Sequence, residues 1–467
     1  MSTVIKFGTD GWRAIIAEDF TTDNVARVTE GVALWLKQNF KNPSVVVGHD
    51  CRFGGPLFTQ TIARILAMHN IKTYMHQGIA TTPMVSLGTL KKNASLGIII
   101  TASHNPPDYN GYKLKGHFGG PLLPADIEAI EKLIPHQPPA GYRNFEIPQH
   151  LIEQVNLEDI YYQHAIEHFD IRSIANISHR LAFDPMYGAG QKILPRLLPK
   201  VKTIHAEHNP GFHGIPPEPI MRNLTEFSEF IKSHNDEILC GLATDGDADR
   251  IGLFDALGNF VDSHHIILLL IKYLVEVKKF TGKVVLAFSV TPKAYKLCKH
   301  YGLEYEVVKI GFKHIAGYFL KEKVLLGGEE SGGIAIQGHI PERDGIWMGL
   351  TIWEYMAKSG KTLNDLIEDV YKIVGPFSYE RIDLHIAEEQ KQRILQYLNE
   401  NTLQQIGPYA VEKVETIDGF KYYLPNEEWI MIRASGTEPV LRTYAEGQTK
   451  QNAMNILHHT HEFLKKL

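Results

Sequence analysis

Residues 96–106 read LGIIITASHNP. The first five are a short apolar run with no polar alternation, which predicts a strand buried on both faces. The run passes directly into a polar loop built from Thr101, Ser103, His104, Asn105 and Pro106. A buried strand that opens into a polar loop is the arrangement of layered α/β folds. Working outward, Val25, Val28, Val32, Leu36 and Phe40 fall at helical spacing. Val45-Val46-Val47 then reads as a second buried strand, closed by Gly48-His49-Asp50. A further helical pattern runs to about His69, followed by a strand at Ile71–Met75.

The alternation pauses at residues 135–150, where Pro135, Pro138, Pro139, Gly141 and Pro148 read as a linker. It resumes with a strand at Leu181–Phe183, a proline-rich loop at 209–219 and a strand at Ile238–Ala243. A third stretch has strands at Val284–Phe288, Tyr305–Val308 and Val324–Leu326. Its helices start near Pro292 and Phe312, and the last spans Asp344–Ala357. After Gly375, strands at 378–385, 420–424, 428–433 and 440–445 surround helices at 387–399 and 449–465. The predicted fold is therefore α/β: three tandem α/β domains (1–145, 146–255 and 256–373) and a C-terminal α+β domain (374–467). The three share a layout but no residue-level repeat.

The chain has 467 residues, of which 44% are apolar and 22% charged, as in globular domains with their own cores. Its net charge of −5 gives no basic excess for nucleic acid or an anionic membrane, so an anion site must be a local cluster. Three isolated cysteines, Cys51, Cys240 and Cys298, cannot form a disulfide framework. The start, MSTVIKFGTDGW, lacks the apolar core of a secretory signal. The longest aliphatic run, Ile266–Ile271, is far short of a membrane span. These features predict a cytoplasmic protein.

Four loops carry chemistry. Asp245-Gly246-Asp247-Ala248-Asp249-Arg250 follows a strand, and its carboxylates at i, i+2 and i+4 share one side of an extended segment. Three such charges need a cation, and hard oxygen donors favour Mg²⁺. The loop is not an EF-hand, because Arg250 and Ala256 stand where Gly and Glu are required. In Thr101–Lys113, Ser103 is placed as a nucleophile or phosphoryl carrier beside His104, and an Asn110-Gly111 turn brings Lys113 back toward it. Gly327–Gly333, GGEESGG, surrounds two acids and a hydroxyl with glycine, as a sugar-binding loop would. Arg433–Pro439, RASGTEP, offers a guanidinium, hydroxyls and a permissive backbone to a phosphate. Taken singly, each also reads as an ordinary polar turn. Gly188-Ala189-Gly190 is not a dinucleotide fingerprint, because Ile193 replaces its third glycine. Gly360-Lys361-Thr362 is not a P-loop, because Tyr355 occupies the first glycine position. The remaining histidines read as surface or core residues.

In order, FGTDGWR at 7–13, TASHNP at 101–106, DGDADR at 245–250, GEESGG at 328–333 and RASGTEP at 433–439 resemble the α-D-phosphohexomutase superfamily over essentially the full length. That superfamily comprises the phosphoglucomutases and phosphomannomutases. The resemblance implies four domains around a central cleft and a phosphoserine at Ser103. It implies Mg²⁺ held by Asp245, Asp247, Asp249 and the serine phosphate, and a hexose 1,6-bisphosphate as activator and intermediate. Arg13, His104 and Lys113 match residues that bind the phosphoserine or move a proton, and Lys113 is the expected base if nearby cations lower its pKa. Arg250 matches the arginine after the metal loop. Glu329 and Ser331 match the pair that reads sugar hydroxyls. Arg433, Ser435, Gly436 and Thr437 match the distal phosphate clamp.

GEES-type loops resemble those of glucose-selective members, whereas dual-specificity enzymes carry GEMSGH and glucosamine mutases GEQSGH. Glu330 and Gly333 thus imply phosphoglucomutase activity on glucose 1-phosphate and glucose 6-phosphate. The histidine ending the other loops is absent here, and His339 or Arg343, in HIPERDG, is expected to supply the missing group to the substrate. The expected partners are small-molecule hexose phosphates, with neither nucleic acid nor membrane, and the chain is expected to be a monomer or homodimer. Alternatives are a phosphomannomutase or dual enzyme, a glucose 1,6-bisphosphate synthase, a phosphatase and a non-catalytic sugar-phosphate sensor.

Overall fold

The structure is a computed structural model that describes residues 4–234, 236–401, 403–434 and 440–467. It divides into two compact units, one of Met1–Val285 with Gly311–Ile367 and one of Leu286–Ile310 with Glu368–Leu467.

The first unit opens with six strands: β1 (Trp12–Ile15), β2 (Ser44–His49), β3 (Lys72–His76), β4 (Leu96–Ile100), β5 (Tyr109–Gly116) and β6 (Ile152–Val155). Their order is β1-β5-β4-β2-β3-β6. β4, β2, β3 and β6 are parallel, which the continuous apolar runs predict for β2 and β4. β5 and β1 extend that core antiparallel. The helix Thr22–Asn39, capped by the Thr21 side chain, lays Val25, Val28, Val32 and Leu36 against Val45, Val47, Ile98 and Ile100.

Two expectations change here. Asn110-Gly111 is not a turn. It lies inside β5, where a Cβ on Gly111 would come 2.4 Å from the Thr101 carbonyl oxygen and the Asn110 side chain accepts from the Gly111 N–H. Lys113 returns to the Ser103 loop because β5 runs antiparallel to β4, with Ile99 opposite Lys113. The first sheet also continues past residue 145: once the prolines end at Pro148, Ile152–Val155 pairs with β3.

The second sheet has β7 (Leu181–Asp184), β8 (Lys202–Thr203), β9 (Cys240–Thr244), β10 (Ile251–Asp255) and β11 (Phe260–Val261) in the order β11-β10-β9-β7-β8. It too runs past its expected limit, at 255, through the pairing of β11 with β10. Thr244 lies opposite Ile251, so Asp245–Arg250 closes an antiparallel hairpin. It is therefore a tight turn, with Ala248 at φ 59° and its N–H donating to the Asp245 carbonyl, and not an extended segment.

The division between units falls within β12 (Lys283–Ala287), and β13 (Tyr305–Val308) belongs to the second unit. In the first unit β14 (Val324–Gly328) and β15 (Ile334–Ile336) form a hairpin whose turn is Glu329–Gly333. The helix Gly345–Ser359 follows, capped by Asp344.

The second unit adds β16 (Ser378–His385), the β17 (Gln405–Ile406) and β18 (Tyr409–Ala410) pair, β19 (Lys413–Glu415), β20 (Phe420–Tyr423), β21 (Trp429–Ala434) and β22 (Val440–Gly447). Its main sheet, β16-β22-β21-β20-β19, is antiparallel. The helices Glu388–Glu400 and Lys450–Leu464 cover it through Ile394, Leu398, Ile456 and Leu457. The segment 286–310 is tied to this sheet by a buried lysine. Lys421 donates to the carbonyls of Phe288 (3.1 Å) and Val290 (3.0 Å), with its ammonium 4.1 Å from the Trp429 ring centre. Ile310 N–H donates to Asp418 at 2.9 Å.

Cys51, Cys240 and Cys298 are buried and unpaired. Burial raises all three thiol pKa values, to about 12 for Cys240 and Cys298. Among the described residues, no helix is long and apolar enough to cross a membrane.

Candidate active site

Ser103 sits just past β4, 1% exposed, with φ 52°, a left-handed backbone that ordinary residues adopt only when their surroundings enforce it. Arg52 supplies much of the enforcement. Buried at 2% exposure, it donates through Nη1 to the carbonyls of Pro106 (2.7 Å) and Tyr109 (2.9 Å), and through Nη2 to those of Ser103 (2.7 Å) and Asn105 (2.6 Å). The Asp50 carboxylate steadies both ends: it lies 3.4 Å from Arg52 Nε and accepts the Thr101 hydroxyl at 2.5 Å, while Thr101 Oγ1 accepts the Ser103 N–H at 2.9 Å. Burial, partly opposed by Arg52, raises the Asp50 pKa to about 6.

The acidic hairpin meets this loop directly. Ser103 Oγ donates to Asp245 Oδ2 at 2.6 Å. Only glycine fits next: a Cβ on Gly246 would lie 2.5 Å from the Ser103 carbonyl oxygen. The hairpin is also held by the helix Thr82–Lys91, whose first residue donates its N–H to the Asp247 carbonyl at 3.0 Å and its hydroxyl to the Asp247 carboxylate. Ala189 N–H donates to the Gly246 carbonyl at 2.8 Å, so the loop rejected as a nucleotide site is a buttress.

Asp245, Asp247 and Asp249 are fully buried, and one oxygen from each lies within 4.8 Å of the others. Oδ1 of Asp247 and of Asp249 has no hydrogen-bond partner. Burial, then repulsion from Asp247 and Asp249, drives the Asp245 pKa well up. Buried carboxylates clustered this closely, two of them with an unpartnered oxygen, fit a divalent cation with oxygen ligands. These residues could hold such a metal.

Positive groups surround the cluster. Lys113 Nζ is 2.9 Å from Asp10, 2.7 Å from Asp247 and 3.0 Å from Asp249. Burial pulls its pKa down, but the three carboxylates prevail and raise it. The expected lowering of the Lys113 pKa is thus reversed. Arg343 pairs with Asp10 and, at 2.8 Å, with Asp249. Arg13 Nη1 donates to Asn105 at 2.6 Å. His104 Nδ1 is 3.3 Å from Ser103 Oγ; burial, then Arg250 and Arg13, holds its pKa well down. Arg250 donates its N–H to Asp245 Oδ1 at 3.0 Å and pairs with Glu218 at 3.4 Å.

The glycine-rich turn joins the same group. Arg250 bridges to Gly333, and Ile251 N–H donates to the Gly332 carbonyl at 3.2 Å. Glu329 accepts the Gly311 N–H at 2.8 Å, and burial raises its pKa to about 7 against the pull of Arg343. Ser331, close by in the turn, is half-buried. His339 is not available as expected. Its side chain is fully buried, Nε2 pairs with Asp344 at 2.9 Å, Nδ1 faces His164 at 3.2 Å, and the ring stacks on Trp347 at 3.7 Å. Both nitrogens are engaged, so it can offer nothing to a substrate. In the second unit, Arg433 Nε lies 3.3 Å from Asp418, while Ser435, Gly436 and Thr437 fall outside the described residues.

Four family profiles match in order: Phosphoglucomutase/phosphomannomutase, alpha/beta/alpha domain I over residues 4–139, domain II over 159–258, domain III over 262–374 and the C-terminal domain over 386–462. A solved structure of a candidate phosphomannomutase from Thermus thermophilus is 31% identical, with complete coverage of both chains and a TM-score of 0.88. The chain belongs to the phosphoglucomutase/phosphomannomutase family. It has that family's four-domain α/β architecture and is a phosphohexomutase, an intramolecular phosphotransferase. Two curated relatives show the breadth of the family. The phosphoglucomutase/phosphomannomutase of Thermococcus kodakarensis is 29% identical over 97% of this chain and 96% of its own. The phosphoglucosamine/phosphogalactosamine mutase of Sulfurisphaera tokodaii is 28% identical over 97% of each.

In this phosphohexomutase Asp10, Arg52 and Thr82, none of them among the expected site residues, all touch the cluster or the Ser103 loop. Asp10 stood within the quoted FGTDGWR. Arg52, two residues after the Asp50 that closes β2, carried the same signal as Ser103: a polar residue just past a buried strand.

Proposed function

We propose that this phosphohexomutase is a phosphoglucomutase, interconverting glucose 1-phosphate and glucose 6-phosphate through phospho-Ser103 and a glucose 1,6-bisphosphate intermediate. The observation that carries the reading is the 2.6 Å contact of Ser103 Oγ with Asp245, inside a carboxylate cluster with two unpartnered oxygens. Asp245, Asp247 and Asp249, with the Ser103 phosphate, would hold Mg²⁺, which when bound neutralises phosphoryl charge.

The chain's own residues do the rest. Arg52 and Asp50 fix the loop that carries Ser103, and so the position of the phosphoryl group it would bear. The O–P bond to Ser103 breaks as the bond to the sugar hydroxyl forms, and the hydroxyl proton is lost. His104, with Nδ1 3.3 Å from Ser103 Oγ, is the proton acceptor beside the reacting atoms. Lys113 and Arg343, held charged by acids, offset the phosphoryl charge and are not bases. The bisphosphate then reorients and returns its other phosphoryl group to Ser103. Glu329 and Ser331 read sugar hydroxyls, and Arg250 binds substrate. The distal-phosphate role of Arg433, Ser435, Gly436 and Thr437 rests on the motif alone.

The choice of glucose rests on Glu330 and Gly333. Turnover of glucose 1-phosphate, mannose 1-phosphate and glucosamine 1-phosphate, each with Mg²⁺ and its 1,6-bisphosphate primer, decides it. A large preference for glucose is expected; comparable rates on mannose, or preference for glucosamine, overturn the substrate while leaving the mechanism. Ser103→Ala is expected to remove nearly all turnover with the fold intact by circular dichroism. Near-normal turnover would sink the phosphoserine role.

A further inference from the structure

The helix Leu157–His168 carries His164, Glu167 and His168, at positions i, i+3 and i+4 on one face. One ligand atom from each lies within 4.8 Å of the others. Two imidazoles and a carboxylate suit Zn²⁺ and similar transition ions, whereas Mg²⁺ prefers oxygen alone.

The second observation concerns the ring nitrogens. The Asp344 carboxylate accepts the Tyr161 hydroxyl at 2.7 Å and the Trp347 N–H at 2.9 Å, and its Oδ2 is 2.9 Å from His339 Nε2. A carboxylate only accepts, so the His339 proton is on Nε2 and Nδ1 is its acceptor. That Nδ1 is 3.2 Å from His164 Nε2, which must therefore be the donor. His164 Nδ1 is left as a bare lone pair, and it is buried without a partner on a residue only 8% exposed. At His168 the parallel holds: Nδ1 donates to the His164 carbonyl at 2.8 Å, leaving Nε2 as the lone pair. Metal-binding histidines are set up this way, with the other N–H fixed by a carboxylate, a carbonyl or a relay to one.

We propose that His164 Nδ1, His168 Nε2 and the Glu167 carboxylate form a site for a Zn²⁺-class ion, built from residues other than the aspartate cluster. Three protein ligands leave a position for water or another group. The relay Asp344–His339–His164 explains why His339 is locked away from the substrate: it orients a ligand.

Equilibrium dialysis of the intact protein against Zn²⁺, at saturating Mg²⁺, tests this. One Zn²⁺ per chain is expected, with Co²⁺ in its place giving the visible bands of a low-coordinate nitrogen and oxygen site. Glu167 and His168 are exposed, so Glu167→Gln and His168→Ala should fold normally. Each is expected to weaken Zn²⁺ binding at least about tenfold. Absence of stoichiometric binding in the unaltered protein overturns the proposal, as does binding that both variants retain undiminished.

Discussion

Arg52 directs four N–H bonds at backbone carbonyls of one loop, which makes it a positioning residue whose work is done through Ser103. Lysine keeps the charge but not the planar fork. Arg52→Lys is therefore expected to lower kcat by about a hundredfold with little change in KM, the scale of an ångström's misplacement of a reacting atom. Steady-state kinetics read this directly, and a kcat within twofold of the parent would remove Arg52 from the account. Glu329 behaves differently. Burial raises its pKa from the ordinary 4.5 to about 7. The folded state thus holds its proton more tightly than the unfolded chain, so ionisation of this side chain weakens the fold as pH rises from about 4.5 through about 7. Glu329→Gln keeps an oxygen for the Gly311 N–H and removes the charge. It is expected to gain up to about 3 kcal/mol at pH 8 and nothing at pH 4. Thermal melts at the two pH values check it, and equal shifts at both would refute it. Residues such as Ser103 and Asp245–Asp249 were legible in the sequence because their chemistry is in their side chains and in short motifs. Arg52 was not, because its partners are carbonyls at four positions about fifty residues away.

At the scale of elements, the parallel strands β2 and β4 were legible because their runs of apolar residues are continuous and largely buried. β5 was hidden for the opposite reason. YNGYKLKG places Lys113 and Lys115 in a buried strand, where Asp10, Asp247, Asp249 and Glu342 compensate them, and no pattern of hydropathy can anticipate compensation from other loops. The acidic hairpin stands out in the sequence as a candidate metal loop but reads as extended, because a left-handed Ala248 has no sequence signature. Its packing on the Ser103 loop is backbone on backbone. Gly246→Ala is expected to push the two apart, at about 1–3 kcal/mol of stability. It should also cut turnover and raise the Mg²⁺ concentration needed for half-maximal rate. A variant with the parent's Mg²⁺ titration would show that the close approach is dispensable.

At the scale of the whole molecule, the chain reads as four consecutive domains while the contacts group 286–310 with the C-terminal sheet. Such a grouping depends on side chains like Lys421, whose two carbonyl partners lie more than a hundred residues away, and so leaves no local trace. Amides of 286–310 are expected to exchange with those of β20 and β21, as one cooperative body. Hydrogen exchange that instead tracks 311–367 would contradict this. The three buried thiols give that division a chemical handle. Cys51 and Cys240 belong to the first unit and Cys298 to the second, and each thiolate is suppressed by its surroundings. Alkylation therefore waits on local opening, and the order in which a pulse of iodoacetamide marks them ranks how readily each unit breathes.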